Sequence, residues 1–293
     1  MKLAIASGKG GTGKTTVATN LAWVAASEGR RVAYLDCDVE EPNGHLFLNP
    51  EISSSAPAVR LHPLVDEAKC THCGLCGEIC QYSAIVCIGD KVLIHPELCH
   101  ACGGCALVCH PGAIAEAPRG TGKLETGAAG PIQFVQGVLN VGEAMSAPLI
   151  RQVKAAAPEA EFVIVDSPPG TSCPVIESIR GAEFVLLVTE PTPFGLNDLK
   201  LAVEVVRALK LPLAVCINRA GLGDEETQEY CRHQGLEVLA EIPDDRRVAE
   251  AYSRGMLACE AVPEFRAQME ALLARLGEFS PDSPMTTPRE ARQ

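Results

Sequence analysis

An α/β architecture is predicted: a doubly wound, mostly parallel sheet interrupted by a small α+β insert. Two observations predict it. Apolar, partly β-branched runs of strand length recur between helical patterns, which is how strands buried on both faces read. From about residue 60 to 119 that rhythm stops, cysteine becomes dense, and the helical stretches become too short to cross over a sheet. A break that starts and ends inside one α/β pattern reads as an inserted domain.

Residues 2–6 form the first buried strand, followed by a glycine-rich turn and a helix to about residue 27. Residues 31–36 give the second strand, and 161–166, 183–190, 213–218 and 236–242 the later ones, with strand–helix order resuming near residue 148. The expected division is a discontinuous α/β domain (1–60 and 119–279), an insert (61–118) and a disordered Pro/Ser/Thr-rich tail (280–293). Phe265, Met269, Leu272, Leu273 and Leu276 recur at helical spacing and read as core rather than as a membrane-binding stripe.

The 293 residues allow one large and one small domain, and 47% apolar with 21% charged residues is the balance of a soluble globular protein. A net charge of −12 counts against a nucleic-acid partner. Neither a spanning apolar run nor a signal peptide is evident, so the cytoplasm is the expected location. In that reducing compartment, fourteen cysteines point to metal rather than disulfides.

Gly8-Lys9-Gly10-Gly11-Thr12-Gly13-Lys14-Thr15 fits G-x4-G-K-[ST] between a strand and a helix. The glycines let backbone N–H groups approach phosphates, and the helix start adds its positive dipole end. Lys14 is expected on the β- and γ-phosphates, Thr15 on Mg²⁺ and Thr16 at the α-phosphate of ATP or ADP.

Lys9 makes the resemblance specific. The stretch resembles the deviant Walker motif of the MinD/ParA superfamily, which includes the nitrogenase iron protein and Mrp-type carriers. The resemblance implies a P-loop ATPase, slow without a partner, and a homodimer or a heterodimer with a paralogue in which Lys9 reaches the partner's nucleotide. It also implies that Asp38 orients the attacking water, Asp166 holds the Mg²⁺ shell and Gly170 offers its N–H to the γ-phosphate. Asn218 falls where the family reads adenine, and Pro243 in a base-side loop.

Cys70-x2-Cys73-x2-Cys76-x3-Cys80 is followed by Cys99-x2-Cys102-x2-Cys105-x3-Cys109. This doubled run resembles the bacterial two-cluster ferredoxin. By that resemblance Cys70, Cys73, Cys76 and Cys109 hold one [4Fe–4S] cluster, and Cys99, Cys102, Cys105 and Cys80 the other. Gln81 and His110 stand where ferredoxins have proline. Cys173 matches a cluster ligand of the nitrogenase iron protein and is a speculative third metal site. Cys37, Cys87, Cys216, Cys231 and Cys259 lack C-x2-C pairing and read as core or surface thiols.

The function these resemblances imply is ATP-driven dimer switching coupled to electron transfer toward a redox or metalloprotein partner. The alternatives are an iron–sulfur or metal-cluster assembly and carrier ATPase, and a redox-sensing positioning ATPase.

Overall fold

The computed structural model describes residues 1–279. The expected tail disorder at 280–293 lies outside the described residues.

Among the described residues, nine of eleven strands form one sheet. They are β1 (Lys2–Ala6), β2 (Val32–Asp36), β3 (Glu51–Val65), β6 (Ile114–Ala129), β7 (Ile132–Leu139), β8 (Phe162–Asp166), β9 (Phe184–Thr189), β10 (Leu213–Ala220) and β11 (Val238–Pro243). Their order is β11-β10-β9-β1-β8-β2-β7-β6-β3. The run from β11 to β7 is parallel throughout, and β6 and β3 close the edge in antiparallel fashion.

Alternation along each strand fills two cores. Leu3 and Ile5 of β1 face one layer with Tyr34, Phe134, Ile164 and Leu186, roofed by the helices Lys14–Ser27 and Pro263–Gly277. Ala4 and Ala6 face the other with Leu35, Val135, Val165 and Leu187, roofed by Ala147–Ala155 and Pro193–Ala208. This is the doubly wound arrangement expected of strands apolar on both faces.

The helical stripe expected to pack inward is buried, with Met269 at 0% exposure. Met269→Ala should therefore cost about 2–5 kcal/mol, read as a lower denaturant midpoint at unchanged slope. A cost near zero would place the stripe outside the core.

Three sheet strands were not expected. β3 and β6 are rich in Ser, Ala, Gly and Pro, residues of low strand propensity. They persist because they pair with each other along 51–65 and 114–129, and β6 also pairs with β7. β7 itself lies beside β2 with Phe134 and Val135 buried. The boundaries expected at 60/61 and 118/119 fall within β3 and β6, beside the directly opposed Arg60 and Arg119. The two strands thus form a neck running from the sheet edge to the cysteine-rich segment. Asp66 N–H closes its far end on the Ala113 carbonyl at 2.7 Å. Beyond lie two short helices, Leu75–Ile79 and Gly104–Leu107, and a hairpin of β4 (Ile85–Ile88) and β5 (Lys91–Ile94).

Candidate functional site

The chemistry-bearing residues gather at the carboxyl ends of the parallel strands, where open α/β sheets bind ligands. The loop Gly8–Gly13 leaves β1 at the sheet centre, Asp38 follows β2, Asp166 ends β8, Asn218 lies near the end of β10, and Pro243 ends β11.

Gly13 starts the helix Lys14–Ser27 at φ 87°, with no side-chain cap and no acidic residue in the first turn. The first N–H groups are thus left for an anion. A Cβ on Gly13 would overlap the Asn218 amide, which donates to the Thr12 carbonyl at 2.8 Å. Gly8 is equally constrained, because a Cβ there would overlap the Asp198 backbone.

Beneath the loop lies a buried acidic group. Lys14 Nζ is 3.7 Å from Asp166 Oδ1, and Tyr34 donates its hydroxyl to Asp166 Oδ2 at 2.8 Å. Asp36 accepts the N–H groups of Asp38 and Gly44. Burial, with Asp166 alongside, holds the Asp36 carboxyl well above the usual carboxylate range. Burial likewise pushes Asp38 up to about 6, against the pull of Lys14.

Four buried oxygens here lack a hydrogen-bond partner: Thr12 Oγ1, Asn43 Oδ1, Asp166 Oδ1 and Ser167 Oγ. Each such orphan costs about 1–3 kcal/mol unless something binds it. A hydrated divalent cation with phosphate oxygens fits that set.

The cleft wall contains Gly10, Gly11, Gly13, Lys14, Thr15, Thr16, Asp38, Pro169, Asn218 and Pro243. Arg219 and Tyr252 also line it, unforeseen from sequence. Gly8, Thr12 and Asp166 are not on the wall, and Thr12 and Asp166 are buried. Lys9 is drawn aside, with Nζ 3.2 Å from Glu190 Oε2, while Arg219 holds Glu190 Oε1 at 2.6 Å. Glu190 stands directly after β9 and belongs to no motif of the sequence. Gly170, at φ 96°, donates its N–H to the Ser7 carbonyl at 2.9 Å, so in this conformation that donor is engaged.

In the cysteine segment, Cys70, Cys73, Cys76 and Cys109 line one small cavity, together with Cys87. Cys109 thus joins the first cysteine run although it ends the second. Backbone N–H groups of Ala113 and Ala101 donate to Cys109 Sγ at 3.2 Å and Cys99 Sγ at 3.4 Å. Burial pushes the Cys80 thiol up, but the N–H groups of Tyr82, Ile85, Ala84 and Ser83 outweigh it and hold the thiol below its ordinary value. Tyr82 stacks on His100 with ring centroids 3.4 Å apart, tying the two halves together. Among the described residues, no three His, Cys, Asp or Glu side chains are grouped as ligands of a single metal ion. Cys173 is exposed at the first residue of Cys173–Ile179, whereas Cys37, Cys216, Cys231 and Cys259 are buried.

Fold and loop together define an α/β nucleotide-binding protein with its site at the carboxyl edge of the sheet. The chain belongs to the CobQ/CobB/MinD/ParA nucleotide-binding domain family, which it matches over residues 3–258. It is 31% identical to Uncharacterized protein MJ0579 of Methanocaldococcus jannaschii, over 87% of this chain and 90% of that one. It is 24% identical to an iron-sulfur cluster carrier protein of the same organism, over 94% and 84% of the two chains. Among solved structures, the fold is similar to the septum site-determining protein MinD of Pyrococcus horikoshii, complexed with Mg-ADP. The TM-score there is 0.58 at 20% identity, covering 95% of this chain and 98% of the other. Among the described residues no helix is long and apolar enough to cross a membrane.

Proposed function

We propose that this protein is a slow, dimerising MinD-like ATPase, with a deviant Walker loop, that governs electron transfer through two [4Fe–4S] clusters. The clusters sit on an inserted ferredoxin-type module borne by the β3–β6 neck. The observation that carries the reading is the convergence of Cys70, Cys73, Cys76 and Cys109 on one cavity. That three-plus-one set, drawn from both cysteine runs, is what a two-cluster ferredoxin requires. The clusters would supply one-electron redox chemistry; the chain supplies thiolates, N–H···S bonds and enclosure.

On the ATPase side, Lys14 and the first helical N–H groups would bind phosphates, while Thr15 and Asp166 would hold the Mg²⁺ shell. Asn218 and Pro243 would flank the base. Asp38 would orient the attacking water, Lys9 would leave Glu190 to reach the partner's nucleotide, and Gly170 would release Ser7 to meet the γ-phosphate. Ordering of such segments by the γ-phosphate is a familiar way to time docking and release.

The test is anoxic purification, iron and acid-labile sulfide analysis, and electron delivery to an acceptor with and without MgATP. ATP-dependent delivery supports the reading; protein without iron and sulfide defeats it. The iron-sulfur cluster carrier relatives favour a second reading, in which a cluster is cargo. Transfer of iron and sulfide to an apo-protein would select it.

Asp38 sets a pH expectation. With its carboxyl pushed up to about 6, Asp38 is protonated below that pH and anionic above it. The anion is acceptor-only toward water, whereas in the protonated form one oxygen becomes a donor. ATP turnover should therefore rise through pH 6, and Asp38→Asn should lower it and flatten that limb. An unchanged acid limb in the variant would assign it to another group.

A further inference from the structure

Arg60 is an oddity of the neck. Its side chain is 2% exposed, Nε and Nη1 have no partner, and Nη2 donates to the Pro96 carbonyl at 2.8 Å. That carbonyl also accepts the N–H of Cys99 at 3.2 Å, so the guanidinium grips the backbone at the start of the second cysteine run. Its counter-charge is Glu143, at 3.7 Å, in the loop after β7. Glu143 is shared with Arg119, at 2.6 Å, leaving two cations on one carboxylate. A buried excess positive charge with two unpartnered guanidinium nitrogens calls for an anion nearby. A cubane carried on four thiolates is such an anion.

The other end of the Glu143 loop reaches the nucleotide site. Leu139 N–H donates to the Val39 carbonyl at 2.8 Å, next to Asp38, and Asn140 N–H donates to Thr121 of the neck at 2.9 Å. Glu143 N–H then bonds the Asn140 carbonyl at 3.1 Å. A continuous set of bonds therefore runs from the segment after β2, through the loop and Glu143, to Arg60, Pro96 and Cys99. The segment holding Asp38 and Asn43 is the element a nucleotide would bias, which a coupling claim requires.

We propose that Arg60 is a positioning residue through which nucleotide occupancy sets the environment, and so the reduction potential, of the cluster on Cys80, Cys99, Cys102 and Cys105. This rests on the reading that those cysteines hold a cluster. When the 38–43 segment moves, Val39 carries Leu139 and the Glu143 loop with it, and Arg60 shifts relative to the Cys99 backbone.

The test is a potentiometric titration of the full-length, anoxically purified protein, followed by electron paramagnetic resonance, without nucleotide and with MgADP or a non-hydrolysable MgATP analogue. In the wild type the analogue should shift one of the two midpoint potentials. Arg60→Met should retain iron, sulfide and nucleotide affinity, lose that shift, and lower the nucleotide-free potential of the same cluster because a nearby cation is gone. Glu143→Gln keeps the side-chain shape and changes no part of the neck strands, so it covers the case in which Arg60→Met fails to fold. It too should abolish the nucleotide-induced shift. Two clusters whose potentials ignore nucleotide in the wild type, or a shift that survives in the folded variants, would overturn the proposal alone. Wild-type protein free of iron and sulfide would overturn it together with the reading beneath it.

Discussion

Lys9→Ala is expected to bind ATP with near wild-type affinity while turning it over about 10³-fold or more slowly, the scale on which a charge supplied in trans acts in phosphoryl transfer. In the monomer Lys9 is engaged with Glu190 and is not on the cleft wall, so it contributes little to binding there. The substitution also spares the fold, because Glu190 keeps Arg219 at 2.6 Å. What is lost is positive charge on the partner's developing transition state. Mixed dimers make the claim sharp. Lys9→Ala chains and Asp38→Asn chains, each slow alone, should regain partial turnover when mixed, because one of the two sites then has an intact Asp38 and a Lys9 from its neighbour. Mixtures as slow as their components would put Lys9 in its own chain's site.

Cys109→Ala should lower bound iron from about eight to about four atoms per chain, the content of one [4Fe–4S] cluster. The cluster lost should be that of the first cysteine run, since Cys109 lines the cavity with Cys70, Cys73 and Cys76. Pairs of substitutions separate this from simple damage. Cys109→Ala with Cys70→Ala should lose nothing further, whereas Cys109→Ala with Cys99→Ala should lose almost all iron. The reverse pattern would assign Cys109 to the second run. Stability should fall as well, because the segment beyond the neck has short helices and a two-stranded hairpin whose folding would draw on metal binding.

Much of the parallel sheet was legible, because stretches such as 162–165 and 184–188 are continuous apolar runs, as expected of strands buried on both faces. The neck was not, because Ile52, Ser53, Ser54, Ser55 and Ala56 carry no strand period of their own and stand only by pairing with a segment about 70 residues away. β7 was not legible for a related reason: Gln133, Gln136 and Gly137 interrupt its apolar residues, so it shows no continuous run.

Among site residues, Lys14, Thr15, Asp38 and Asn218 could be placed around one cleft because each belongs to a short pattern anchored at a strand end. Glu190, Arg219, Tyr34 and Arg60 belong to no such pattern. Their contacts join residues that are 29 or more apart in the chain.

The order of residues alone thus settled which stretches are strands buried on both faces, where the backbone must curl around an anion, and which thiols recur in two matched runs. These depend on interactions within some ten residues, where spacing is geometry. Only the folded chain decided that Lys9 rests on Glu190 and that Arg60 joins the sheet edge to Cys99. Each of those depends on strand register across the neck or between central strands, and register is a property of the packed molecule rather than of any one segment.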